Sequence, residues 1–383
     1  MGKERQQNES ERAAEIAAEL QKRGLITVKN GVIVSVDQVK KNFHPVTSIS
    51  AADLLKKEIP PIEWLIDEIM PLGLGILGAP SKYFKSYMAL DICVKICKGE
   101  RFLGFNCQKR GCLYLDLEST ERRPKNRLEQ ILNGEKPPDD LHIITAKEHP
   151  GRIGEGLEEQ IAYQLETFPS IKLIVIDVFQ LVRKQAKRTQ SGYDRDYEDM
   201  NLLKKIVAQH DVGILLIHHT RKMKDPSDVF NELGGSTGIM GAVDFAWVIG
   251  KEMRGSKDAT LNITGRDLES RNLKIQFNKS IYQWEYIGTV EEVERQKEVD
   301  QYHNSNITKT IKTLLKSNNG QWEGTASDIK SASGYVGHII YEDTRAIGKF
   351  ISKCEHLFYF DKITFEYKRT GKERKRKYVF KWS

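Results

Sequence analysis

Four apolar runs in this chain end in residues able to handle phosphate, a metal ion or a proton. The first leads into Gly78-Ala79-Pro80-Ser81-Lys82-Tyr83-Phe84-Lys85-Ser86-Tyr87. A phosphate-binding loop needs backbone N–H groups converging on one phosphate, a lysine reaching the outer oxygens, and a hydroxyl for Mg2+. Lys85 and Ser86 supply the last two, at the start of a helix expected over Lys85 to Lys98 and just after a short apolar strand, Gly75 to Leu77. The usual pattern, G-x-x-x-x-G-K-[ST], is not met. Gly78 stands one residue too far from Lys85, and Phe84 occupies the place of the second glycine. Two readings stay open: a one-residue insertion, or Ala79 in the first glycine's place. Both change how closely backbone can approach phosphate. The bland rival is an ordinary strand-to-helix turn, and the downstream runs weigh against it.

The second run, Lys172-Leu173-Ile174-Val175-Ile176-Asp177, sets a carboxylate at the C-terminal end of a buried strand, where α/β sheets place ligands. Asp177 there is suited to hold Mg2+ through water. The third, Val212 to Arg221, ends in His218-His219-Thr220-Arg221. One histidine is expected to contact the γ-phosphate, and the sequence leaves His218 and His219 equally open. A related strand, Leu113-Tyr114-Leu115-Asp116-Leu117-Glu118, offers Glu118 as general base for an attacking water. Asp116 would share its face if the strand ran on, so a turn after Leu117 must separate the two. The segment Arg221 to Met240, glycine-rich at 234–238, is expected to be mobile, with Arg221, Lys222 and Lys224 facing a nucleic-acid backbone. A plain solvated loop explains it as well.

The elements that must position these residues alternate between strand and helix from about residue 60 to 290. Strands are expected at Gly111 to Leu117, Leu141 to Thr145, Leu173 to Asp177 and Val212 to His218. Helices fall at Thr120 to Leu132, 155–167 and 196–210. This rhythm predicts an α/β fold with a mostly parallel sheet covered on both faces. Phe245 to Ile249, Ala259 to Thr264 and Leu273 to Phe277 extend the sheet, the last two as a hairpin. Ahead of this core, residues 8–23 read as a helix and Leu25 to Val28 with Gly31 to Val36 as a small hairpin. The Pro60-Pro61 pair ends that region. The expected parts are an N-terminal region over 1–58, the core over 59–289, a linker over 290–304 and a small domain over 305–383.

The net charge of +7 is concentrated at the C-terminus, where residues 362–383 carry nine basic side chains against two acids. Helical spacing at 306–317 and 341–353, then alternating strands Ile363 to Tyr367 and Lys377 to Trp382 around a basic turn, suggest a winged-helix-like unit. Arg369, Lys372, Arg374, Lys375 and Arg376 are its candidate DNA contacts. The five cysteines are an odd number without paired knuckles, so core filling is favoured over zinc, and thiols over disulfides. A charged N-terminus and no apolar run of membrane-spanning length point to the cytoplasm.

Taken in order, these motifs resemble the RepA-like branch of RecA-type hexameric helicase ATPases of plasmids and integrated elements. The resemblance covers about residues 60–280. It rests on Glu63-Trp64-Leu65-Ile66-Asp67, on Tyr114 to Glu118 followed by the Arg122 to Leu128 helix, on His-His-Thr-Arg, on Gly235 to Asp244, and on Gly265-Arg266-Asp267. It implies ATP and Mg2+ as cofactors. Lys85 and Ser86 would bind phosphate and metal, Glu118 would be the base, Asp177 the metal acid and His219 the phosphate sensor. Arg266 would reach the ATP of the next subunit in a hexameric ring, although pairing with Asp267 or Glu269 would explain it too. The implied partners are single-stranded and duplex DNA, further copies of the chain and other replication proteins. Trp322 to Ile329 and Thr344 to Phe350 resemble parts of a small domain that follows such ATPases. The rival expectation is a nucleotide-binding regulator or helicase loader with little or no hydrolysis.

Overall fold

A computed structural model of the chain describes residues 17–22, 27–29, 32–35, 48–184, 191–221, 225, 227–233, 237–250, 256–370 and 375–382. It divides into two units, Met1–Pro61 and Ile62–Ser383. In the first, residues 17–22 are helical and Thr27–Lys29 pairs antiparallel with Val32–Ser35. The rest of the helix expected over 8–23, and the turn at Asn30 and Gly31, lie outside the described residues.

The second unit is built on nine strands: β1 (Leu74–Ala79), β2 (Gly111–Asp116), β3 (Leu141–Thr145), β4 (Ile171–Asp177), β5 (Gly213–His219), β6 (Phe245–Gly250), β7 (Asp258–Gly265), β8 (Arg271–Asn278) and β9 (Gln283–Thr289). Their order across the sheet is β9-β8-β7-β6-β1-β5-β4-β2-β3. From β6 to β3 all neighbours run parallel, and β7, β8 and β9 add an antiparallel meander. The α/β class with a mostly parallel sheet, expected from the sequence, is the class observed.

Side-chain alternation divides this sheet into two cores. Leu77, Ala79, Cys112, Tyr114, Leu173, Val175, Leu215 and Ile217 face α1 (Lys85–Lys98) and α2 (Arg122–Leu132). Leu74, Ile76, Leu113, Leu115, Ile174, Ile176, Ile214 and Leu216 face α3 (Leu157–Thr167) and α4 (Gly192–His210). A strand buried on both faces reads as an unbroken apolar run, which is why β4 and β5 are plain in the sequence. β9 is hidden there because Glu285 and Gly288 interrupt its alternation; only Trp284 and Gly288 are deeply placed.

α5 (Val290–Asn304) follows β9 directly and starts with a capping box between Thr289 and Glu292. Of the two forms expected for the stretch Val290 to His303, a linker helix or a flexible connection, the helix is the one observed. Beyond it lie α6 (Asn306–Ser317), β10 (Gln321–Thr325), α7 (Ala326–Tyr335), α8 (Thr344–Lys353), α9 (Glu355–Phe360), β11 (Ile363–Thr370) and β12 (Lys375–Trp382). The three strands form an antiparallel sheet in the order β10-β12-β11, over an apolar cluster of their own that includes Tyr302, Ile311, Ile329, Ile347, Phe358 and Phe380. α7 escapes sequence reading because Ser and Gly dominate it. It is fixed by a Thr325–Asp328 capping box and by Ile329 in the cluster.

Gly75 shows how tightly β1 is packed. A Cβ there would lie 2.1 Å from the Phe245 ring. Gly75→Ala should lower unfolding stability by about 2 kcal/mol or more through overpacking. Combining it with Phe245→Leu should recover part of that loss; simple additivity in a urea double-mutant cycle would contradict the contact.

Candidate nucleotide site

The sheet brings the candidate residues to the C-terminal edge of its parallel strands. β1 runs through Ala79, and the turn to α1 follows at once. Gly78 lies inside the strand opposite His218, where an added Cβ would meet Leu233 at 2.1 Å. Its glycine character thus serves packing against Leu233. The turn has two non-glycine residues in the left-handed region, Lys82 (φ 66°) and Phe84 (φ 56°). Each such position costs of order 1 kcal/mol. Phe84 is held there by its ring, which stacks on Phe277 at 3.9 Å and 12° and meets the edge of Tyr87 at 5.9 Å. Aromatic pairs of this kind contribute about 0.5–1.5 kcal/mol, enough to offset the backbone strain. The bulky residue in the glycine's place packs into the core beside α1.

Lys85 is buried at the first turn of α1, its Nζ donating to Ala79 O (2.9 Å) and Pro80 O (3.0 Å). It also lies 3.0 Å from His219 Nδ1, and Ser81 Oγ lies 3.4 Å from the same nitrogen. Burial pulls the Lys85 ammonium down to about 8, against the opposing pull of Asp177 and Glu118. Burial, and then the Lys85 charge, hold the His219 imidazole below its ordinary value, so it faces the ammonium as a neutral acceptor. His218 occupies the other face of β5, buried and edge-on to Phe179 at 5.9 Å. Alternation therefore settles which histidine shares the lysine's surroundings.

Asp177 ends β4 on the α1 side. Its Oδ2 accepts a 2.6 Å bond from the fully buried Tyr114 hydroxyl. Its Oδ1 is buried and, among the described residues, has no hydrogen-bond partner. Burial raises the Asp177 carboxyl above the usual carboxylate range, while Tyr114 and the adjacent Ser86 hydroxyl pull the other way. Burial and the Asp177 charge push the Tyr114 phenol well up, so it stays a donor. A buried carboxylate oxygen without a partner, beside a serine hydroxyl, is the hard-oxygen environment that Mg2+ takes with several of its own waters. The residues fit that ion.

Asp116 pairs in register with Asp177, is itself buried, and meets Arg127 Nη1 at 3.4 Å. The Arg127 guanidinium sits 5.7 Å over the Tyr87 ring. β2 ends at Asp116, Leu117 N still bonds across to Asp177 O at 2.8 Å on β4, and the chain bends at Glu118. Glu118 is solvent-exposed, and its charge reaches both Lys85 and His219. In the sequence Tyr114 and Arg127 stand only as parts of a motif.

Arg266 lies at the opposite end of the sheet. β6 runs parallel to β1 with Phe245 beside Gly75, and Arg266 N bonds to Asp244 O. The guanidinium donates to Gly241 O at 2.7 Å and lies 3.9 Å from Asp244 Oδ1. Among the described residues its ion-pair partner is Asp244, where the sequence had offered Asp267 or Glu269 as the alternative to a role across a subunit interface. Asp244 also accepts from Leu74 N (2.9 Å) and Lys204 Nζ (3.1 Å). Arg266 is remote from its own chain's Lys85 and half-exposed.

Of the candidate nucleic-acid contacts, Arg221 is exposed just past the end of β5. Lys222, Lys224, Lys372 and Arg374, and the side chains of Arg369 and Lys375, lie outside the described residues. Arg376 sits 4.3 Å over the Tyr367 ring and lines a groove of about 580 Å3 shared with Ser327, Arg345 and Lys349. The last two, on α8, do not stand out in the sequence. The five cysteines are free and buried; burial pushes the Cys107 thiol up to about 12 and Cys112, between Cys93 and Cys97, well up. Among the described residues no helix is long and apolar enough to cross a membrane.

Residues 42–225 match the family model AAA_25, described as an AAA domain, which supports an ATPase domain over that stretch. Similar solved structures include one described as an ATPase domain, at 14% identity and TM-score 0.46, covering 56% of this chain and 85% of that one. A second is "The Structure Of A DnaB-Like Replicative Helicase And Its Interactions With Primase", at 12% identity and TM-score 0.46, covering 61% of this chain and 66% of that one. No curated protein matches the sequence.

The depressed Lys85 fixes a pH dependence. Below about 8 the ammonium is charged and meets a phosphate; above it the charge is lost unless the ligand restores the proton. Affinity for ADP should therefore fall as pH rises through that value, roughly tenfold between pH 7 and pH 9. A flat fluorescence-titration profile over this range would show that the ammonium is not the phosphate partner.

Proposed function

We propose that the chain is an ATP-driven DNA helicase or translocase acting in the replication of a plasmid or integrated mobile element. The observation that carries this reading is the gathering of Lys85, Ser86, Asp177, His219 and Glu118 at one end of the parallel sheet, around the start of α1. Lys85 and the N–H groups of the turn would cradle the β- and γ-phosphates. Ser86 and Asp177 would hold Mg2+, which when bound neutralises charge on the phosphate oxygens. Glu118, exposed and past the strand end, would orient and deprotonate the attacking water. His219, in contact with Lys85, would register the γ-phosphate.

Arg266 stands too far from its own chain's Lys85 to serve that site. Supplied to the next protomer through a heterologous contact, it would stabilise charge on the transferring phosphate, which requires a ring or filament. A hexamer is the assembly that the sequence resemblance implies. The helices, β-hairpin and basic surface of 305–383 are read as a winged-helix-like domain gripping duplex DNA. Arg221 and its neighbours would follow the single strand.

The rival reading, a nucleotide-binding regulator or helicase loader, draws on one observation: the turn before Lys85 has no glycine. ATP turnover with and without single-stranded DNA decides between them. The helicase reading expects DNA to stimulate turnover, Lys85→Ala to abolish it, and forked duplexes to be unwound. Arg266→Ala chains should keep nucleotide affinity, lose turnover by about a thousandfold, and suppress wild-type chains when mixed. Nucleotide binding without turnover at any DNA concentration would favour the regulator.

A further inference from the structure

We propose that Tyr114 is a positioning residue for the metal: its hydroxyl fixes the Asp177 carboxylate so that the free oxygen faces the metal position beside Ser86. This role rests on the nucleotide reading above and goes beyond it, since it adds a residue that touches neither phosphate nor metal.

Tyr114 and Asp177 stand on neighbouring parallel strands, β2 and β4, with Tyr114 opposite Val175 and Asp116 opposite Asp177. Tyr114 is therefore two residues short of Asp177 along the sheet. Both side chains point to the α1 face, so the phenol runs beneath Asp177 and reaches its Oδ2 at 2.6 Å. The approach comes from inside the core, where Tyr114 is wholly buried. That bond occupies one carboxylate oxygen and leaves Oδ1 buried with no partner among the described residues. A carboxylate is symmetric about its bond to the chain. Without the phenol it could turn toward either of two nearby cations, Arg127, which meets Asp116 at 3.4 Å, or Lys85. The tyrosine thus selects one orientation out of several that the local charges would tolerate. Groups that bond a metal ligand from behind typically govern metal affinity in this way.

Tyr114→Phe removes only the hydroxyl. Two quantities separate positioning from general damage: affinity for a fluorescent ADP in EDTA, and the Mg2+ concentration that half-saturates ATP turnover. The variant should bind Mg2+-free ADP like wild type, need about tenfold more Mg2+, and recover most of its rate when Mg2+ is raised. Mn2+ titrated into the ADP complex and followed by paramagnetic resonance should show the same weakening without any turnover. Leu115→Ala, a buried truncation on the same strand with its side chain on the other face, should lower thermal stability and leave the Mg2+ requirement unchanged. An unaltered Mg2+ requirement in Tyr114→Phe, or an equal shift in Leu115→Ala, would overturn the role. Wild-type protein that binds no ADP with or without Mg2+ would overturn the nucleotide reading itself, and this role with it.

Discussion

In a parallel strand covered on both faces, residues two apart share a face, and a polar side chain survives only where the strand runs out or a partner meets it. This constraint organises the molecule. On β1, β2, β4 and β5 the residues that face α1 are Ala79, Tyr114, Asp116, Asp177 and His219 at the strand ends, in line with the apolar residues below them. Residues one step out of phase, His218 among them, go to the α3 and α4 side. The helix that begins with Lys85 therefore looks down on the strand-end groups Asp177 and His219.

The same face explains how a turn without glycine is built. Phe84 adopts a backbone conformation that glycine takes freely, and its ring is stacked on Phe277 from the antiparallel meander. Strain in the turn is thus met by packing far along the chain. The meander has a structural share in the site, since β8 supplies Phe277 and β7 leads into Arg266. At the other end of the sheet Asp244 ties Arg266, Lys204 and the start of β1 together. The two ends of β1 are consequently held by different charges, a cation at one and a carboxylate at the other.

Much of this is legible in the sequence. The apolar runs ending in Asp177 and His218-His219 mark their strands and the end at which a ligand would sit, because burial on both faces leaves an unbroken signature. The letters cannot decide between His218 and His219, since parity relative to α1 needs the register with β1. Nor can they place Phe84, whose partner Phe277 lies 193 residues away. Tyr114 is visible only as a motif letter, its bond to Asp177 being a contact between strands. In the C-terminal part the basic hairpin is evident from charge and alternation, but α7 is hidden by serines and glycine and is held by its capping box and one isoleucine.

At the centre of the account is a phosphate site at the start of α1 that works with Phe84 in the glycine's place. Calorimetric titration of the full-length chain with Mg2+ and ADP tests it most directly. One site per chain is expected, lost in Lys85→Ala and retained in Lys98→Ala, a lysine at the opposite end of α1. Binding that survives Lys85→Ala unchanged, or no binding by the wild-type chain, would contradict it.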